Sequence, residues 1–295
     1  MFAANSRSDV LTAEPFVREA GGEVLAALQR LRVAGGVSVE FAARGGVTGV
    51  ARSHEVQGWR IRIPHPASCD CEAVLLNTGG GVAGGDAVKL EFKLCDNARA
   101  TVTTVAGERI YRAVAQAARM EAQLTLSGGS HLVWLPREMI MSSGARLVRR
   151  VNVEMAENAA LTLLDIVVLG RRGSGEHMTS GLLDDRWSIR RAGRLHHMEA
   201  MKLDGNIEQR LARPATAGGA HVIGTLIHLD RDAEACLDRV RQAVSGHDGV
   251  EVAASAWAGK LVVRGLGTNV ERVRSVFAAA VSALTGRPMP RAWLT

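Results

Sequence analysis

The 295-residue chain is poor in aromatic side chains, with five Trp, five Phe and one Tyr. Its core must therefore be built mostly from Val, Leu, Ala and Ile. Four cysteines are too few at this length for a disulfide framework. No apolar run approaches the ~20 residues that a membrane span requires. The opening segment, MFAANSRSDVLTAEPF, lacks the apolar stretch behind a basic patch that marks a secretory signal, so a cytoplasmic location is expected. The chain also lacks the G-x-S-x-G turn of an α/β-hydrolase and the H-E-x-x-H pattern of zinc proteases. With few aromatics, and basic residues scattered among acids, it offers no stacking ladder for nucleic acid. What is present is ordinary globular composition, 47% apolar and 22% charged, which excludes a disordered chain. The net charge of +6 suits an acidic protein partner.

Most of the chain reads as β. Val37, Val39 and Phe41 alternate with polar residues, as do Trp59, Ile61 and Ile63. Val88 to Leu94, Met120 to Leu126 and Val151 to Met155 repeat the pattern, which marks strands with one buried face. Leu161–Leu169 is an almost unbroken apolar run, the signature of a strand covered on both faces. The last 65 or so residues differ. Ala233, Leu237, Val240 and Val244 fall on one helical face, predicting a helix over about 231–245. Val250–Trp257 and Lys260–Leu266 read as a hairpin. A second helix is predicted over about 269–285, with Thr268 and Glu271 at capping-box spacing and Gly286 ending it. Residues 1–30 read as an extension, with a possible short helix on Val24, Leu25, Leu28 and Leu31. Residues 31–295 read as a single β-rich domain.

Several constellations bear on chemistry. Gly79-Gly80-Gly81-Val82-Ala83-Gly84 satisfies G-x-G-x-x-G, but the alternating KLEFKL follows where a dinucleotide site needs a helix. A tight turn, or a backbone held close to something that docks, are the other readings. Cys69-Asp70-Cys71 is a thiolate pair without a second pair at zinc-site spacing. His196 and His197, if on a strand, point to opposite faces. Arg149–Arg150 is one of several short doublets among scattered basic residues. Asp165 sits within the apolar run, where an ionised carboxylate must be paired or hydrated. Glu108, Arg109, Tyr111 and Arg112 follow a strand ending in Thr103-Thr104, and Glu138 follows Trp134-Leu135-Pro136-Arg137. These groups read either as structural ion pairs or as a polar, hydrated path through a β-rich body.

Seven segments in order, FAARGGVTGVAR, LLNTGGGVAGGD, TTVAGERIYR, WLPREMIM, LGRRGSGEHMTSG, KLVVRGLG and PRAWLT, resemble the UreD (also UreH) family of urease accessory proteins from about Val37 to Thr295. The resemblance implies a mainly β fold, its sheets in a helical or solenoid-like arrangement, with two C-terminal α-helices. It implies a non-enzymatic scaffold that binds the UreF accessory protein, through it the GTPase UreG, and apo-urease. No cofactor is held tightly; nickel is in transit, through an internal polar tunnel. Ni²⁺ binds most nitrogen, oxygen and sulfur sites tightly. A delivery route must admit the ion and also release it, as a conducting pore does. Oxygen ligands meet that condition better than a Cys/His cage. The motif residues that fit are Asp86, Thr103, Thr104, Glu138, Asp165 and Glu176, with Asp86 and Glu176 closing Gly-containing motifs. Two other functions remain open: a metal-storage protein using Cys69, Cys71 and the histidines, and a nucleotide enzyme using the Gly-rich loop.

Overall fold

The computed structural model describes residues 32–64 and 70–294. The expected N-terminal extension and its helix, and Cys69, lie outside the described residues. In chain order the strands are β1 (Ala34–Arg44), β2 (Val47–Val56), β3 (Trp59–Arg62), β4 (Cys71–Asn77), β5 (Ala87–Leu94), β6 (Arg99–Thr104), β7 (Glu108–Ile110), β8 (Ala118–Leu126) and β9 (His131–Leu135). They continue as β10 (Met139–Met141), β11 (Arg146–Met155), β12 (Ala160–Leu169), β13 (Leu182–Arg191), β14 (Arg194–Asp204), β15 (Val222–Leu229), β16 (Val250–Trp257) and β17 (Lys260–Gly267). The α-helices are α1 (Ile207–Leu211), α2 (Leu237–Val244) and α3 (Val270–Thr285).

From β4 to β13 the chain winds as a solenoid. Successive long strands alternate between two sheets, so each coil contributes one strand to each. One sheet has the order β14-β13-β11-β8-β5-β1-β2, and the other β16-β17-β15-β12-β9-β6-β4-β3. Within the coils the neighbours are parallel: β5 with β8 and β8 with β11, β4 with β6 and β6 with β9. Short β7 and β10 pair with each other, and β10 with β12, along the turns that join the sheets. Antiparallel strands finish both ends, with β1/β2 at one and β13/β14 and β12/β15/β17/β16 at the other.

Period-two alternation generates two apolar layers. Phe41, Phe92, Leu124, Leu132, Leu161 and Leu163 fill the space between the sheets. Leu164, Ile166 and Val168 of β12 point the other way, with Leu226 and Val263, and meet Val276, Phe277 and Ala280 of α3. Leu161–Leu169 is therefore buried on both faces, as its composition predicts. Gly224 of β15 permits this layer: a Cβ there would lie 2.1 Å from Phe277 Cε2.

The helical regions differ in detail from the sequence reading. The first begins as a 3₁₀ turn, Glu234–Cys236, before α2. The second starts at Val270, and its cap is Asn269, whose side chain accepts from the Arg272 N–H at 3.0 Å. Thr268 therefore does not cap it, and Glu271 pairs with Arg274. Gly286 ends it in the left-handed region at φ 65°. Helix α1, capped by Asn206, falls where strands were expected.

Candidate functional site

The Gly-containing motifs are successive rungs at one end of the coils. Val82 bridges to Ile110, the Ser142 N–H donates to the Ile110 carbonyl, the Gly170 N–H to Met141, and the Gly144 N–H to Ser180. The loop Asn77–Asp86 is the turn from β4 to β5. A strand follows it, so no helix N-terminus faces the glycines. Gly81 and Gly84 are positions where a side chain is excluded, since a Cβ would lie 2.8 Å from the Arg109 carbonyl oxygen at the first and 2.6 Å from the Gln116 carbonyl oxygen at the second.

Behind these rungs, between the sheets, lies a cavity of about 70 Å³. A water needs roughly 10–15 Å³ of such space, so the cavity has room for a few water molecules or one hydrated ion. Apolar walls from Trp59, Leu90 and Leu163 carry the polar groups Thr104, Glu108, Arg149 and Asp165, and Glu121 and Arg137 line the cavity as well. Glu108 points inward because β7 alternates: Ile110 is buried on the same side and Arg109 faces solvent. Burial pushes the Glu108 carboxyl up to about 7, against the hydrogen bond that Asn77 Nδ2 donates to its Oε1 at 2.9 Å. Arg149 also points inward, whereas Arg150 pairs with Asp184 at 3.0 Å on the far side of the strand. The Arg149 guanidinium donates to both Asp165 oxygens, at 2.7 and 2.6 Å, and to both Asp185 oxygens, at 2.9 and 2.6 Å. Trp187 Nε1 donates to Asp185 as well, at 3.1 Å. Burial opposes the charge on Arg149, but the two aspartates outweigh it and hold its pKa well above the usual value.

Of the six residues expected on a cation path, the fold brings Thr104 and Asp165 to this cavity. Thr103 is one residue from Thr104 on β6 and so faces the other way. Its hydroxyl accepts from Trp293 Nε1 at 3.1 Å, clamping the C-terminal segment onto the outer layer. Asp86 is buried, and its two oxygens accept from the backbone N–H groups of Val33 and Ala83 at 3.0 and 2.8 Å. Glu138 is buried between Arg137, at 3.4 Å, and Arg274 of α3, at 3.8 Å. Glu176 lies in the loop after β12. Burial would raise its carboxyl, but the Arg171 guanidinium at 2.5 Å and the Ser143 N–H at 3.1 Å hold it below the usual range. Sequence reading noted Glu108 without assigning it, counted Arg149 only within a scattered basic doublet and passed over Asp185. A polar residue on the apolar parity of its strand is the signal that picks out all three.

The metal-storage constellations are dispersed. His197 faces inward toward Glu199 at 3.4 Å, while His196 lies on the opposite face of β14. Burial would raise the Glu199 carboxyl. Hydrogen bonds from His197 and Arg264 prevail and hold it at about 2. The Cys71 thiol is buried, which raises its pKa and disfavours the thiolate a metal would need. Among the described residues no three His, Cys, Asp or Glu side chains are placed to hold one metal ion, and no helix is long and apolar enough to cross a membrane.

A model of the family described as UreD urease accessory protein matches residues 33–294 of this chain. The chain is 40% identical over 264 residues to the urease accessory protein UreD of Rhodopseudomonas palustris strain ATCC BAA-98 / CGA009, covering 90% of this chain and 94% of that one. It is 41% identical over 263 residues to the protein of the same name from Bradyrhizobium diazoefficiens, covering 89% and 94%. It is 41% identical over 251 residues to the urease accessory protein UreD 1 of Methylobacterium radiotolerans, covering 84% and 87%.

Proposed function

The chain belongs to the UreD family of urease accessory proteins, and on that premise we propose that it takes nickel from a UreF–UreG complex and passes it to apo-urease through the polar space between its sheets. Membership gives the chain a role in urease maturation. The partners, the route and a cytoplasmic setting are our reading. The observation that supports the route is the cavity between the sheets, whose lining includes Thr104 and Glu108. Thr104 Oγ1 already donates to the Ala106 carbonyl at 2.9 Å and accepts from the Arg137 N–H at 2.9 Å, so it offers a weak extra contact. Glu108 offers one carboxylate. Such a sparse oxygen set, completed by water, holds a first-row divalent ion loosely enough to release it. Glu138, Asp86 and Thr103 act in this reading as supports of the coil turns and of the C-terminal segment. Glu176, in the loop after β12, is assigned in this reading to the entry or exit of the ion.

Co-expression of the chain with UreF, UreG and apo-urease should give a complex and active urease. Full nickel-dependent activation without this chain would refute the role. The route is tested separately by E108Q, which retains an acceptor for Asn77 but no charge. It should leave the complex assembled and slow activation. An unchanged rate would take Glu108 off the path. E176K should likewise preserve assembly and reduce transfer, and loss of the complex would mark Glu176 as structural.

A further inference from the structure

Two carboxylates should attract a divalent cation more than Glu108 does, Asp165 in the cavity lining and Asp185 joined to it through Arg149, and neither is free. Arg149 and Asp185 are register partners on adjacent parallel strands, and Asp165 faces them from the opposite sheet. One nitrogen, Arg149 Nη2, sits 2.6 Å from an oxygen of each aspartate, so those two oxygens lie within twice that distance of each other. A first-row divalent ion bridges two carboxylate oxygens at roughly 2.1 Å from each. The side chains are thus close to a chelating arrangement, and the guanidinium occupies its centre. Trp187 Nε1 fixes Asp185 from behind, and its ring lies 5.9 Å beneath the guanidinium carbon.

We propose that Arg149 keeps the inter-sheet space from becoming a nickel trap, by occupying the Asp165 and Asp185 carboxylates that would otherwise chelate the ion. With the guanidinium in place the cluster carries one net negative charge and all four of its carboxylate oxygens are engaged. Without it, two buried carboxylates face each other unpaired and must recruit a cation or a proton. Ni²⁺ ranks above most divalent ions for such a site. A route that must release its cargo cannot contain that pair unmasked. Arg149 is in this sense a positioning residue, acting on the cargo through the two acids that it holds. Asp165 is correspondingly withdrawn from the ligands that nickel meets.

The inference rests on the proposed nickel route, but its test does not require urease. Wild-type chain and R149M are dialysed against micromolar NiCl₂ and their retained metal is counted. Wild type should retain none, R149M one ion per chain, and R149M/D185N none. Nickel should also raise the thermal midpoint of R149M and leave that of wild type unmoved. A folded R149M that retains no nickel overturns the proposal. Should R149M fail to fold, expression with nickel supplied should restore it, because the ion replaces the missing charge. A variant unfolded both with and without nickel equally overturns the proposal. In the reconstituted assay R149M should activate urease at least tenfold more slowly. Failure of wild type itself to activate urease would count against the route and leave the metal-retention result to stand.

Discussion

Replacing Glu108 by Gln should stabilise the protein at pH 8 far more than at pH 5. In the folded chain burial between the sheets keeps the carboxyl protonated up to about 7, whereas in the unfolded chain it ionises near the ordinary 4.5. Between those values the unfolded state has lost the proton and the folded state still holds it, so this group makes the protein less stable as pH rises through the window. Below 4.5 both states are protonated and Glu108 contributes no penalty. Above 7 the penalty is complete, at about 3 kcal/mol for a displacement of this size. Because part of it is already present at pH 5, the difference between pH 5 and pH 8 should be about 2–3 kcal/mol. Gln carries no charge and keeps an oxygen for Asn77 Nδ2, so E108Q removes the penalty without orphaning that donor. Urea unfolding of both proteins at the two pH values isolates the effect, since every other titrating group is common to both. An E108Q stability increment that is the same at pH 5 and pH 8 would show that Glu108 is solvated like a surface carboxylate. The cavity walls would then not desolvate the carboxyl.

Three further outcomes follow from the packing. Asp165→Leu leaves the Arg149 guanidinium with one buried partner in place of two, and should cost about 3–5 kcal/mol in urea unfolding; a cost below 1 kcal/mol would mean that water replaces the carboxylate. Gly224→Ala drives a methyl group into the Phe277 ring and should destabilise by roughly 1–3 kcal/mol, partly recovered by Phe277→Leu in the same chain. Asn269→Ala should cost about 1 kcal/mol and Thr268→Ala no more than about 0.5 kcal/mol, by thermal unfolding; the reverse order would return the cap of α3 to Thr268.

Strand identity was legible wherever one face was wholly apolar, as in Val88–Leu94, and at Leu161–Leu169, where both were. Helix α3 was legible from its stripe and from Gly286. The solenoid winding was legible through the family resemblance but not from the strand pattern, because parallel partners such as β5 and β8 stand some thirty residues apart and nothing local records which strands will meet. The interior polar cluster was hidden for a related reason. Leu147, Val151, Val153 and Met155 share the parity of Arg149, and Leu183, Trp187 and Ile189 that of Asp185, so alternation turns both inward. What it does not record is the register that sets the two side by side, or Asp165 facing them from the other sheet. Alternation does separate Thr103 from Thr104, and it would have placed only one of them in the cavity.

The outer layer of the second sheet also bears on how the protein is made. Leu164, Ile166 and Val168 leave the ribosome about a hundred residues before Phe277, the ring that seals them. At about 5–20 residues per second, a greasy flank of an otherwise finished coil stack stays bare for roughly 5–20 seconds of translation. Rare codons or a premature stop within that stretch would lengthen the exposure and favour clumping of the nascent chain, with every side chain of the inter-sheet cavity already in place.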